Sequence, residues 1–542
     1  MKARSLVPGH MSFVFKAIPR GVVSWAVLLV AFLGGTFLPA AVLCREVYGL
    51  SEKELGLYRG NSLLAGWRVP EARQVVDKLL AKNPADLDAR ALEAHVLFFE
   101  GRYGESLKAL ERLGSRGSFR NLVAATAETA RTFSSRSSAH FEVFWASPKD
   151  EVLADPALEA LEAARSALVR NLGFQQEARV RVEIYPSVSS FTAASTLTRA
   201  EVETSGTIGL CKFDRLMITS PRATLWGFRW RDTLCHEYVH LAIYRLSRGT
   251  APIWVHEGIA KYLEASWRGV TGDLEPASQA LLARRMEKGS LIPLEAMSPS
   301  VAKLPSAEET ALAFAQVGTM MSFLVEKRGT DSLEKLLHLL AEGRTDREAL
   351  EGVWSGTFAS FDNSWREWAG KLPLRREAIQ VMGLELADKG KKDEEPGTIP
   401  DPEARDFARI GDMLRARDRM KAAAEEYAKA YAKGPTAPGV ASRHALGRIA
   451  LGKYDEAVGV AASALELYPD LGVLWLRKGE ALAGLGRQKD AAGAFRELLE
   501  INPFDPFGRA GLFAAARALG DETEAKRQQW ALGVIGMEHG KR

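Results

Sequence analysis

The chain has 542 residues, 46% of them hydrophobic and 26% charged, an ordinary globular composition that argues against a mainly disordered chain. Lys and Arg total 72 against 68 Asp and Glu, and a net charge of +4 is too weak a bias to point to a nucleic acid partner. Three cysteines exclude a disulfide-built scaffold, and a mean hydropathy of −0.12 excludes a multi-pass membrane protein.

Residues 21–44, GVVSWAVLLVAFLGGTFLPAAVLC, carry no charge and as a helix are long enough to cross a bilayer. Lys2, Arg4, Lys16 and Arg20 precede them, so residues 1–20 are expected to stay cytoplasmic while the bulk is exported, to a periplasm or the cell surface. Two readings stand open: an uncleaved membrane anchor, or a cleaved signal that leaves a secreted chain. Ala40 and Ala41 are small enough for cleavage, but Leu38 and Pro39 occupy the position three before each cut. Cys44 suits a lipoprotein signal except for Leu43 before it.

Over 55–130, Trp67, Val69 and Ala72 recur 34 residues later as Gly101, Tyr103 and Ser106, with Pro84 closing the first unit. The pattern changes near 139. HFEVFW (140–145) and RVRVEIYP (179–186) alternate at period two and read as strands, 152–172 as a helix between them, and KFDRLMITSP (212–221) as a third strand.

From Trp230 to Leu246 the period turns helical, with Leu234, Tyr238, Val239, Ala242, Ile243 and Leu246 in one apolar stripe. This helix carries HEYVH, 236–240. His236 and His240 lie one turn apart, so both imidazoles leave the same face at a spacing that suits a single Zn²⁺. Glu237 beside them suits a general base acting on a metal-bound water. A catalytic zinc takes a third protein donor. PIWVHEGIAKY (252–262) offers two, Glu257 and His256, which a helical step of ~100° keeps from serving one ion together.

HEYVH followed by PIWVHEGIAKYLE resembles the peptidase MA-like gluzincins, and the resemblance extends over 139–375. It implies an α+β zincin-like domain with His236, His240 and Glu257 as zinc ligands and Glu237 as general base. It also implies that strand 212–221 holds extended peptide at the cleft edge, and it takes in FAQVGTMMSFLVEKRGTDSLEKLL (314–337) and the Trp365–Trp368 segment. Two positions depart from the family. Lys261 stands where an acidic residue often orients a ligating histidine, leaving that work to another group such as Asp232. Phe314 stands where a Tyr hydroxyl is frequent, and Tyr238 and Tyr262 are the alternative donors.

Other residues receive plainer readings. Cys235 is expected to be a buried thiol, or to bridge Cys211 after export. His338 is expected to pack between helices, and Trp226 and Trp230 to anchor the motif helix. Residues 376–402, rich in charge and then Pro and Gly, read as a solvated linker.

In 403–532 the period of 34 is explicit: Pro435, Pro469 and Pro503; Gly452, Gly486 and Gly520; Ala423, Ala457, Ala491 and Ala525. The small Gly and Ala positions are expected to let paired helices approach closely, and Pro to close each second helix. These units resemble tetratricopeptide repeats, as do the more degenerate ones at 55–130, and the resemblance implies a surface for a protein partner. The expected architecture is multidomain and mainly α, an α+β zincin-like domain between helical repeats. The expected activity is zinc-dependent hydrolysis of peptide or protein, without nucleic acid. Two readings compete: a non-catalytic repeat scaffold for envelope protein assembly with a structural or relic zinc site, and a hydrolase of non-peptide amide bonds.

Overall fold

The computed structural model describes residues 51–377, 379, 381, 382, 385–387 and 399–536; residues 1–20, expected to be cytoplasmic, and the apolar segment 21–44 lie outside them. Among the described residues no helix is long and apolar enough to cross a membrane. The chain forms two compact units, one ending at Arg120 and one beginning at Asn121.

The first unit is two helical pairs, α1 (Glu52–Ala65) with α2 (Val69–Lys82) and α3 (Leu87–Phe99) with α4 (Tyr103–Arg112). Ser51 and Glu54 form a reciprocal capping box that starts α1, and Leu64, Ala72, Val76, Leu92 and Phe98 fill the space between the pairs. Helix α5 (Ser118–Ala130) follows.

The second unit opens with a five-stranded sheet in the order β1-β2-β3-β5-β4, built from β1 (Ser134–Ser137), β2 (Phe141–Trp145), β3 (Val180–Tyr185), β4 (Gly209–Lys212) and β5 (Arg215–Thr219). β2, β3 and β5 run parallel, with Val143 beside Val182 and Val182 beside Leu216, while β1 and β4 are antiparallel edges. The expected strands are therefore present, but the one expected over 212–221 lies inside the sheet, fully buried along β5. The sheet edge next to the motif helix is β4, 209–212, and not the strand expected there.

Helix α6 (Ala154–Leu172) links β2 to β3, and α7 (Val188–Ala194) and α8 (Arg199–Ser205) link β3 to β4. After β5 come α9 (Trp230–Leu246), α10 (Ile253–Leu263) and α11 (Pro276–Glu287), then α12 (Ala307–Arg328), α13 (Ser332–Ala341), α14 (Asp346–Trp354) and α15 (Phe358–Lys371). The apolar stripe of α9 is buried as its period requires, with Leu234, Tyr238, Val239, Ala242 and Ile243 all at 0% exposure. Trp230 is buried and anchors α9, whereas Trp226 is only half-buried. His338 is exposed on α13, so it packs between no helices.

The segment after α15 departs from a solvated linker. Ile379 is buried among Ala280 of α11 and Ala464, Leu471 and Leu474 of the repeats. Leu386 is buried against Tyr185, Phe191 and Met217 beside the sheet, and the Leu225 N–H donates to the Glu385 carbonyl at 2.7 Å. Ile379 and Leu386, both apolar and buried, pin the first part of this stretch.

Four helical pairs complete the chain: α16 (Pro402–Arg415) with α17 (Met420–Lys433), α18 (Pro438–Ala450) with α19 (Tyr454–Leu465), α20 (Gly472–Gly484) with α21 (Gln488–Ile501), and α22 (Pro506–Leu519) with α23 (Glu522–Ile535). The periodic alanines do what the pattern predicts, since Ala423, Ala457 and Ala491 are 0% exposed and Ala525 2%. The periodic glycines do something else. Gly452, Gly486 and Gly520 sit in the turns at φ +72°, +74° and +75°, and a Cβ there would meet nothing within 4 Å. Backbone conformation, not helix approach, selects glycine at these turns. The same turn position is Asp418 in the first C-terminal unit, and Trp67 and Gly101 in the N-terminal ones, all with positive φ.

Candidate metal centre

Helix α9 carries His236 and His240 on one face, and α10 carries Glu257 opposite them. The two Nε2 atoms lie 3.1 Å apart, and each is 3.4 Å from Glu257 Oε2. Donors sharing one tetrahedral zinc at ~2.0–2.1 Å stand about 3.3 Å from one another, so the donor set fits the ion in chemistry and in spacing. The three side chains are 12%, 16% and 13% exposed, largely shielded from solvent but not sealed off. His256 is outside the set: its ring centroid is 5.5 Å from that of His240, and burial first, then the nearby His240, pulls its imidazole down to about 3.

Glu264 stands behind His236, its Oε2 3.0 Å from Nδ1. Its other oxygen accepts from Lys261 Nζ at 2.6 Å. The carboxylate expected of Asp232 is thus supplied by Glu264. Asp232 instead accepts from Trp267 Nε1 at 2.7 Å and pairs with Arg268 at 2.9 Å. Glu264 lies seven residues after Glu257, two helical turns along the same face, a spacing already visible in the sequence. Lys261 neutralises a carboxylate one turn away from the place where the family pattern puts one.

Charge follows from this packing. Burial disfavours the His236 cation, but hydrogen bonds to Glu257 and Glu264 outweigh it and push the imidazole up to about 10. Burial would raise the Glu257 carboxyl, yet the neighbouring His240 and His236 hold it far below the carboxylate range. Glu237 is 6% exposed and its carboxyl is raised by burial, against the pull of both histidines.

Two glycines set the approach of the walls. A Cβ at Gly209, on edge strand β4, would stand 2.6 Å from Glu237 Oε1 and 2.9 Å from its Cγ. Only a glycine lets β4 lie against that carboxylate. A Cβ at Gly258 would come within 2.9 Å of the Val317 carbonyl, so the glycine after Glu257 brings α10 hard against α12. Nothing in sequence spacing singles out Gly209, because its partner is 28 residues away through a strand reversal.

The remaining candidates sort by position. Tyr238 points into the core, its hydroxyl donating to Gln176 at 2.6 Å and its ring meeting Phe141 edge-on at 5.0 Å. Phe314 reaches the site, its ring 6.1 Å from that of His236. Cys211 and Cys235 are free thiols, and Cys235 is the expected core residue, 1% exposed with its Sγ directed at the Ala160 carbonyl. The Trp254 indole donates to Asp346 of α14 at 2.8 Å and fixes the first turn of α10.

Comparison with known proteins gives the same two parts. The Peptidase MA superfamily model matches residues 162–371, and a tetratricopeptide repeat model matches 443–506. The small glutamine-rich tetratricopeptide repeat-containing protein 2 of Mycosarcoma maydis is 30% identical over 104 residues, which cover 19% of this chain and 30% of that protein; the chain thus spans about a third of that relative. The first TPR domain of human RPAP3 is 20% identical, covering 23% of this chain and 97% of that one, at a TM-score of 0.21. A thermophilic TPR protein of Thermus thermophilus is 19% identical, covering 24% and 74%, at a TM-score of 0.23. The chain therefore carries a Peptidase MA superfamily domain followed by tetratricopeptide repeats.

Proposed function

We propose that the protein is a zinc-dependent peptidase of gluzincin type, with His236, His240 and Glu257 as ligands. One observation carries the reading: three donors from two helices converge at 3.1–3.4 Å, beside a buried glutamate that is not among them. When bound there, zinc supplies a water acidified towards neutral pH and polarises a scissile carbonyl. Glu237 accepts the proton at its carboxylate, which burial makes more basic than a surface glutamate, and returns it to the leaving amine. Glu264 holds His236 through Nδ1, leaving Nε2 for the ion. The repeats engage a protein partner or substrate, and residues 21–44 deliver the chain across the membrane and anchor it there.

The test is zinc content of the purified protein together with cleavage of a broad peptide library. About one equivalent of zinc is expected, with Glu237→Gln keeping the metal and losing cleavage by ~10³-fold or more. Less than half an equivalent after reconstitution refutes the reading. Full zinc with no cleavage by the wild type favours the scaffold alternative, to which Phe314 in place of a tyrosine lends support.

A further inference from the structure

The repeats following the metallo-domain are packed onto the very start of the motif helix. The Phe228 N–H donates to the carbonyl of Ile501, the last residue of α21, at 2.9 Å. Gly227 makes this possible, since at φ +77° a Cβ would overlap that same carbonyl. Arg229 pairs with Asp470, in the loop before α20, and with Glu497 of α21 at 3.4 Å. Arg231 pairs with Glu500 of α21, its Nε 2.7 Å from Oε2, and lies 4.4 Å over the Trp267 ring. All these partners are less than half exposed, so the pairs are better shielded than ordinary surface ones.

A second path leads to the same place. Asp470 adds its negative charge to the surroundings of Lys261, which holds Glu264 against His236. The apolar contact is continuous as well, with Ala280 of α11 and Ile379 buried among Ala441, Leu465, Tyr468 and Leu474 of the repeats. This part of the repeat surface is thus occupied by the chain itself and is closed to any outside partner.

We infer that Asp470 and Glu500 are positioning residues for the metal centre: through Arg229 and Arg231 the repeats fix the first turn of α9, and with it the aim of His236 and Glu237. The repeats then act on chemistry in cis as well as on a partner in trans. The inference rests on the zinc reading of the site, and its test separates the two.

The experiment uses the full chain and three variants: R231E, E500R and the reversed pair R231E/E500R. Zinc affinity is measured by competition with a chromophoric chelator, and kcat and KM on a cleaved peptide. Each single reversal is expected to weaken zinc about tenfold, near the low end for residues that orient ligands, and to lower kcat similarly with KM unchanged. The reversed pair is expected to recover to within about threefold of wild type, which ties the effect to this ion pair, and an unchanged KM and unfolding midpoint separate it from a general loss of stability. Should a reversal fail to fold, the isosteric Glu500→Gln gives the same reading at about threefold. Zinc affinities within twofold of wild type in the variants, or no recovery in the reversed pair, overturn the inference while leaving the zinc site standing. A wild type that binds no zinc refutes the site itself, and this inference with it.

Discussion

Replacing Gly209 by alanine isolates the role of Glu237 without touching it. Gly209 is not among the residues with positive φ, so alanine fits the backbone there without strain. The three atoms nearest the added methyl all belong to Glu237, at 2.6 Å for Oε1, 2.9 Å for Cγ and 3.0 Å for Cδ. Ordinary van der Waals contact needs about 3.5 Å or more, so either β4 or the carboxylate must retreat by roughly 0.5–1 Å. β4 is held by its pairing with β5, Gly209 opposite Ile218 and Leu210 opposite Met217, so the side chain of Glu237 swings aside and strains its hydrogen bond from the Cys211 N–H. A general base displaced by that much loses about 10- to 100-fold in turnover. Overpacking of this kind costs about 1–3 kcal/mol, which leaves a domain of this size folded at 25 °C. The assay is kcat, KM and zinc content of the full chain with Gly209→Ala. We expect kcat to fall by that factor with zinc and KM unchanged. Turnover within threefold of wild type refutes the reasoning, and so does loss of zinc, which would show that the strand bears on the ligands and not on the base.

Further outcomes follow from the same geometry. Glu257→Ala is expected to abolish stoichiometric zinc binding, whereas His256→Ala retains it; metal analysis of the two variants decides which is the third donor. Glu264→Ala removes the acceptor at His236 Nδ1 and is expected to weaken zinc by 10- to 100-fold, read by chelator competition. In the repeats, burial first and then the Arg448 guanidinium hold the His444 imidazole down at about 4, against 6.5 in the unfolded chain. The unfolded state therefore takes up the proton first: stability is full above about pH 6.5 and falls towards pH 4, by up to about 3 kcal/mol. His444→Phe, which keeps the ring stacked on Tyr431, should flatten that part of the pH profile in urea titrations. Gly486→Ala is expected to cost about 1 kcal/mol, because φ there is +74°.

The sequence announces whatever repeats or lies one turn apart. The spacing of 34 predicts helical repeats over 403–532 and 55–130, and the one-turn interval of His236 and His240 predicts their shared face. It is silent where the cause is a contact between distant segments. Gly209 is chosen by Glu237, Ile379 by Ala280 and Leu474, and Gly227 by Ile501, and each choice is visible only once the chain has folded. Strand β1, Ser134–Ser137, has no apolar alternation because it is an exposed edge whose pairing with β2 is almost wholly backbone. The periodic glycines show a subtler failure, where the pattern is right and its reason wrong: size suggests close packing, while the turn asks for a left-handed backbone.

That turn also grades the arrays along their length. Every complete unit needs one residue in the left-handed region, and in each array it is the first unit that lacks glycine there, with Trp67 at φ 55° and Asp418 at φ 57°. An L-residue held in that conformation costs about 1–2 kcal/mol, less for aspartate than for tryptophan. Because neighbouring units stabilise each other only across shared faces, the weakest link in such a one-dimensional stack lies at the end that carries this cost. Heated or pulled, the C-terminal array is built to fray from α16 inwards, and α20 and α21, which grip the metallo-domain, are the last to let go.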